Sequence, residues 1–228
     1  MKQTGGSDEA KRRAGASAAQ LPEDGDVVGV GTGSTAAYAI RTLGERVDAG
    51  LDIRGIPTSY QSRALAREAG IPLTTLDDDS VDIAIDGADQ VAEAGTLVKG
   101  GGAAHAREKL VDTDADRFVV VADPTKLVEQ LDVPVPVELL PEARRPVIDA
   151  VEQAGGKPTL RAAKRKDGPV VTDNGNFVLD CAFGTVDDPS GLARTLETTP
   201  GVVEHGLFVG LVDEVHVGSE DGVERREC

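Results

Sequence analysis

Three short segments in the first half of the chain carry residue types suited to a small anionic sugar. Gly31-Thr32-Gly33-Ser34-Thr35 lies between an apolar run and a helical pattern. Glycines there let backbone approach a ligand, a helix N-terminus points N–H groups outward, and hydroxyls suit phosphate oxygens. Asp86-Gly87-Ala88-Asp89 sets two carboxylates on one turn, one to accept bonds from sugar hydroxyls and one to move a proton during ring opening. Lys99-Gly100-Gly101-Gly102 offers a cation beside freely rotating backbone, where amides and an ammonium group steady a developing oxyanion. Glu108, about a turn and a half into the next helix, is a candidate general base. Lys126, past the end of a later strand, is a candidate second cation. Taken singly, each has a plainer reading: a βα turn capped by Ser34 or Thr35, Asp86 as a cap with Asp89 solvated, Glu108 paired with Arg107 or Lys109, Lys126 a surface lysine. In combination they describe a site that binds a phosphorylated sugar and shifts a proton on it.

Such a site needs elements that deliver loops to one rim. Helical patterns cover 8–20, 36–47, 62–69 and 103–111, with the first ten or so residues polar and expected to fray. Strands are expected at 27–30, 52–56, 81–85 and 118–122, so that Gly31, Asp86 and Asp123 follow strand ends. Strands alternating with helices predict a parallel sheet, whose ligands sit beyond the carboxyl ends of the strands. After about residue 130 come a strand at 133–139, a helix at 145–154, a strand near 158–162, segments 170–173 and 177–182 flanking a hairpin signal at Asn174-Gly175, a helix at 190–198 and a strand at 202–209, an order read as β-α-β-β-α-β. The expected fold is α/β: a Rossmann-like parallel-sheet domain over 1–130, completed by 206–228 with a strand at 214–217, and a smaller ferredoxin-like α+β domain over 131–205.

The 228 residues include 40 acidic and 24 basic side chains, a net charge of -16. Such a surface repels nucleic acid and anionic membranes. It also repels a phosphorylated substrate, so a phosphate site must carry local positive potential. Excess acid, 8 Lys against 16 Arg, and few aromatics suit high salt, where screening makes dense surface charge easy to hold. No apolar run reaches the roughly 20 residues of a membrane span, and no apolar signal stretch opens the chain. A soluble, cytoplasmic protein is expected. Cys181 and Cys228 support neither a disulfide framework nor a thiolate metal site, and His105, His205 and His216 have no ligand-like spacing, so no metal is expected. Gly31-x-Gly33-x-x-Ala36 mimics a dinucleotide fingerprint, which wants an acidic residue closing the second strand. That strand closes with Ile56-Pro57-Thr58-Ser59 instead.

With these motifs in order, the chain resembles ribose-5-phosphate isomerase of the A type. The resemblance rests on Gly29 to Ala36, Asp86 to Asp89, Lys99 to Ala104, Arg107-Glu108-Lys109, Asp123 with Lys126, Pro136-Val137-Glu138, Val171 to Asn176 and Pro200 to Val203. It implies reversible interconversion of D-ribose 5-phosphate and D-ribulose 5-phosphate, in the non-oxidative pentose phosphate pathway, without a cofactor. It makes Glu108 the proton acceptor working through a cis-enediolate, with Asp86, Asp89 and Lys99 assisting. Thr32, Gly33, Ser34, Thr35, Asp86, Gly87, Ala88, Asp89, Lys99, Gly100, Gly101, Gly102 and Lys126 carry over as substrate-binding positions. It also implies a homodimer or homotetramer. One departure is His105-Ala106, where the family often has Leu-Thr; an imidazole there bears on the protonation of the base. A non-catalytic sugar-phosphate sensor would need a DNA-binding partner, and neither a helix-turn-helix nor a basic patch is visible. A related sugar-phosphate or acyl-CoA enzyme on a similar fold would not need Lys99 through Glu108.

Overall fold

Val27-Val28-Gly29-Val30 is apolar without interruption, as suits a strand covered on both faces, and all four residues are buried. The computed structural model describes residues 6–228. In chain order its helices and strands are α1 (Asp8–Ala18), β1 (Val27–Val30), α2 (Ser34–Asp48), β2 (Arg54–Pro57), α3 (Tyr60–Glu68), β3 (Ile83–Gly87), β4 (Gln90–Val91), β5 (Leu97–Val98), α4 (His105–Asp114), β6 (Arg117–Ala122), β7 (Val135–Leu139), α5 (Arg144–Gln153), β8 (Lys157–Leu160), β9 (Phe177–Ala182), α6 (Pro189–Glu197), β10 (Val202–His205), β11 (Leu207–Phe208), β12 (Glu214–Gly218) and β13 (Val223–Glu227). Part of the start expected to fray, residues 1–5, lies outside the described residues. From Asp8 the chain is already helical, because the Ser7 hydroxyl accepts from Ala10 N–H at 3.2 Å and caps α1.

Among the described residues the chain divides into two units. One holds 6–88, 107–127 and 210–228, and the other holds 89–106 and 128–209. The sequence placed 89–106 with the first unit; it groups with the second because β4 pairs with β5 and β5 with β11 in a three-stranded antiparallel sheet.

The first unit is built on a six-stranded sheet ordered β13-β12-β6-β3-β1-β2, parallel throughout except for β13. Val28, Val30, Ile40, Leu43, Ile53, Ile85, Val119 and Val121 form its core. The carboxyl ends of β1, β3 and β6 lead into Gly31, Asp86 and Asp123, as the alternating pattern requires. The edge strand β13 was not anticipated; its residues Val-Glu-Arg-Arg-Glu are all exposed. Beside it, buried His216 lies 2.8 Å from Glu214, which also bonds the Arg117 guanidinium. Burial pushes the His216 pKa down despite that carboxylate. For Glu214, burial acts upward, but hydrogen bonds from Arg117 and His216 outweigh it and hold the carboxyl below its usual range. The unfolded chain therefore takes up protons that the native state refuses, on His216 first and on Glu214 at lower pH. We expect the melting temperature to fall as pH drops below about 6.5. A pH series by differential scanning calorimetry checks this, and His216→Gln flattens the upper part of the fall.

The second unit carries a four-stranded antiparallel sheet ordered β10-β7-β9-β8. With α5 and α6 this completes the expected β-α-β-β-α-β order, over a core of Leu131, Val135, Val137, Leu139, Val147, Leu179 and Leu196. The expected strand at 170–173 is not one. Thr172 to Asn176 instead form a turn wrapped around buried Glu138, whose Oε1 accepts from Thr172 Oγ1, Asn174 Nδ2 and Asn176 Nδ2 at 2.9, 3.0 and 2.8 Å. The expected strand at 202–209 is broken at Gly206, where a Cβ would lie 2.1 Å from the Lys99 carbonyl. Gly206 accepts from Lys99 N–H at 2.8 Å and donates to the Pro136 carbonyl at 2.7 Å. This close crossing ties the lysine loop to the small sheet.

Candidate active site

The predicted site residues fall into two groups, one in each unit. In the parallel-sheet unit, Asp86 ends buried in β3 with its Oδ1 accepting from Thr32 N–H at 2.9 Å and Gly87 N–H at 2.6 Å. Gly31 is required beside it, since a Cβ there would lie 2.2 Å from the Asp86 carboxyl carbon. Asp86 therefore organises the glycine loop and joins Thr32 to Gly87. Gly33 has φ +118 and begins α2 without a side-chain cap, which leaves the first amides of that helix to other partners. Ser34 is exposed, Thr32 half-buried and Thr35 buried.

A hydroxyl chain that the sequence reading did not assign to the site supports Thr32. Its Oγ1 lies 2.7 Å from Ser59 Oγ and 2.9 Å from Thr58 Oγ1. Ser59 in turn forms the capping box of α3 with Ser62. Thr58-Ser59 entered the sequence argument only as a missing ribose acid; polar residues closing a strand beside a phosphate-type loop were the available signal.

Glu108 lies in the first turn of α4 and is 5 % exposed. The neighbouring Arg107 guanidinium stacks over the Tyr60 ring at 5.3 Å from its centroid. Lys126 ends a one-turn helix after β6 and is 7 % exposed. That turn is capped by Asp123, whose Oδ1 accepts from Thr125 N–H at 3.0 Å and Thr125 Oγ1 at 2.5 Å.

In the second unit, Lys99 is 1 % exposed, with Nζ 5.4 Å from the centroid of the Phe208 ring. Asp89 Oδ2 accepts from Gly101 N–H at 2.6 Å, and a Cβ on Gly101 would press against the same carboxylate. Gly100 has φ +101, and its carbonyl accepts from Ala103 N–H at 3.0 Å, closing a turn around Gly101 and Gly102. His105 is buried against Gly100, where an added Cβ would lie 2.7 Å from its Nδ1. Cys181 is inert in this unit: burial, with the Asp180 charge, pushes its thiol up to about 12.

Four charged side chains from these motifs, Asp86, Lys99, Glu108 and Lys126, are thus more than nine-tenths buried. The other described lysines are half-buried or exposed.

Comparison with known proteins agrees. Residues 54–222 match the family model for ribose 5-phosphate isomerase A (phosphoriboisomerase A). A protein of Haloarcula marismortui named ribose-5-phosphate isomerase A is 69 % identical over 223 residues, covering 98 % of this chain and 97 % of its own. The solved ribose 5-phosphate isomerase A of Methanocaldococcus jannaschii superposes with a TM-score of 0.93 at 47 % identity, over 96 % of this chain and 98 % of that one. A D-ribose-5-phosphate isomerase solved in complex with phospho-erythronic acid superposes at 0.94 with 44 % identity, over 98 % of this chain and 100 % of that one. The high-identity relatives come from halophilic archaea, in keeping with the acidic composition. The chain belongs to the ribose-5-phosphate isomerase A family.

Proposed function

We propose that this enzyme interconverts D-ribose 5-phosphate and D-ribulose 5-phosphate with Glu108 as the group that moves the proton. The glycine loop Thr32 to Thr35 takes the phosphate together with Lys126. Asp86 keeps that loop in shape, and half-buried Asp89 assists ring opening by exchanging a proton with the sugar hydroxyl. On the open-chain aldose, the Glu108 carboxylate removes the proton from C2. The C2–H electron pair forms the C1–C2 double bond, and the former carbonyl oxygen O1 takes the charge. Lys99 and the amides of Gly100 to Gly102 stabilise that enediolate. A proton passes from O2 to O1, Glu108 returns its proton to C1, and C2 becomes the ketone.

The observation that carries this reading is the burial of Lys99, Glu108 and Lys126 in a chain of net charge -16. Incubating the protein with ribose 5-phosphate in molar KCl and following ketose formation tests it. Folded protein that yields no ketose overturns it. The enzyme acts in the cytoplasm as a homodimer or homotetramer, which light scattering coupled to size exclusion reads directly.

A further inference from the structure

We infer that Arg161, held by Asp180, is a positioning residue for this reaction. It locks the orientation of the peptide between Gly100 and Gly101. The inference rests on the reading above that the Lys99 to Gly102 loop faces the substrate. Arg161 follows β8 in the small antiparallel sheet, more than fifty residues from the loop in sequence. Its Nη1 donates to the Gly100 carbonyl at 2.8 Å. The rest of the guanidinium is spent on Asp180 of β9, with Nε 3.0 Å from Oδ2 and Nη2 2.5 Å from Oδ1. Side-chain exposures of 12 % for Arg161 and 21 % for Asp180 place the pair largely out of water.

One peptide unit is thereby gripped at both ends. Its oxygen is held by the guanidinium and by Ala103 N–H, and its nitrogen donates to Asp89 Oδ2 at 2.6 Å. The grip matters because two consecutive glycines impose almost no barrier to rotating the peptide between them. A flip would take Gly101 N–H from Asp89, open the turn to Ala103, and turn the loop amides away from their present direction. An oxyanion-stabilising loop works only when its dipoles are aimed before the charge develops. The fork on Asp180 also explains why arginine stands here. Asp180 neutralises the guanidinium and fixes its plane, so Arg161 orients backbone without adding net charge to the site.

Arg161→Gln, Arg161→Lys and Asp180→Asn test this, with kcat, KM and melting temperature measured for each and Lys99→Met run alongside. A misaimed group costs up to about a hundredfold in rate, so Arg161→Gln should lower kcat by about 10- to 100-fold. KM should change less than about threefold at temperatures well below unfolding. Arg161→Lys, which can still donate to the Gly100 carbonyl, should recover part of the loss, and Asp180→Asn should lower kcat less than Arg161→Gln does. Wild-type kcat in both Arg161→Gln and Asp180→Asn overturns the inference, as does a loss of activity that only tracks the unfolded fraction. If Arg161→Gln fails to fold, Arg161→Lys and Asp180→Asn decide: reduced kcat in the folded variants supports the inference, and wild-type kcat in both overturns it. If Lys99→Met keeps full activity as well, the failure lies in the reading of the loop rather than in Arg161.

Discussion

Glu108→Gln is expected to lower kcat by about 10³- to 10⁴-fold, the range for losing a positioned general base, with KM within about threefold of wild type. The amide keeps the shape and most contacts of the carboxylate but cannot take the proton from C2. Glu108 is 5 % exposed on α4, so the substitution removes a buried charge and leaves no cavity. Steady-state kinetics with ribose 5-phosphate, alongside thermal unfolding, separate the outcomes. Loss of affinity equal to the loss of rate would make Glu108 a binding group and remove it from the proton transfer.

Lys99→Met is the second large effect, expected to lower kcat by about 10²- to 10³-fold, the scale for removing one stabilising group from a developing oxyanion. Methionine fills most of the volume beside Phe208 but carries no charge. Lost rate with the melting temperature nearly unchanged would identify a cation kept for chemistry. A lowered melting temperature with nearly unchanged kcat would make it a structural cation packed on an aromatic ring.

Much of this arrangement was legible from residue order because it depends on local chemistry. An apolar run entering Gly31-Thr32-Gly33 specifies a strand, a tight turn and a helix start within a few residues. The same holds for the run that delivers Asp86. The missed features are those set by distant partners. Val170-Val171-Thr172 is β-branched enough for a strand, but Glu138 on β7 collects donors from Thr172, Asn174 and Asn176 and holds a turn. The break at Gly206 follows from Lys99 crossing beneath it, which no pattern within 202–209 reveals. Arg161 carries no motif in the sequence, and only the pairing of β8 with β9 brings Asp180 to it. The assignment of 89–106 is a similar case: short strands of two residues are invisible to periodicity and are fixed by their partner β11.

The outermost strand, β13, bears on how a protein of this kind stays dispersed in brine. Salt that screens repulsion between acidic molecules also strengthens apolar association, so open strand borders become more adhesive there. Here the border is finished by Val223-Glu224-Arg225-Arg226-Glu227, an antiparallel strand carrying two charges of each sign and no buried face. Its Glu224–Arg226 contact satisfies charges locally, leaving little for a neighbouring molecule to join. Charges on such an edge disfavour growth of the sheet by strand addition on that flank, which works against self-templated precipitation as the protein is concentrated.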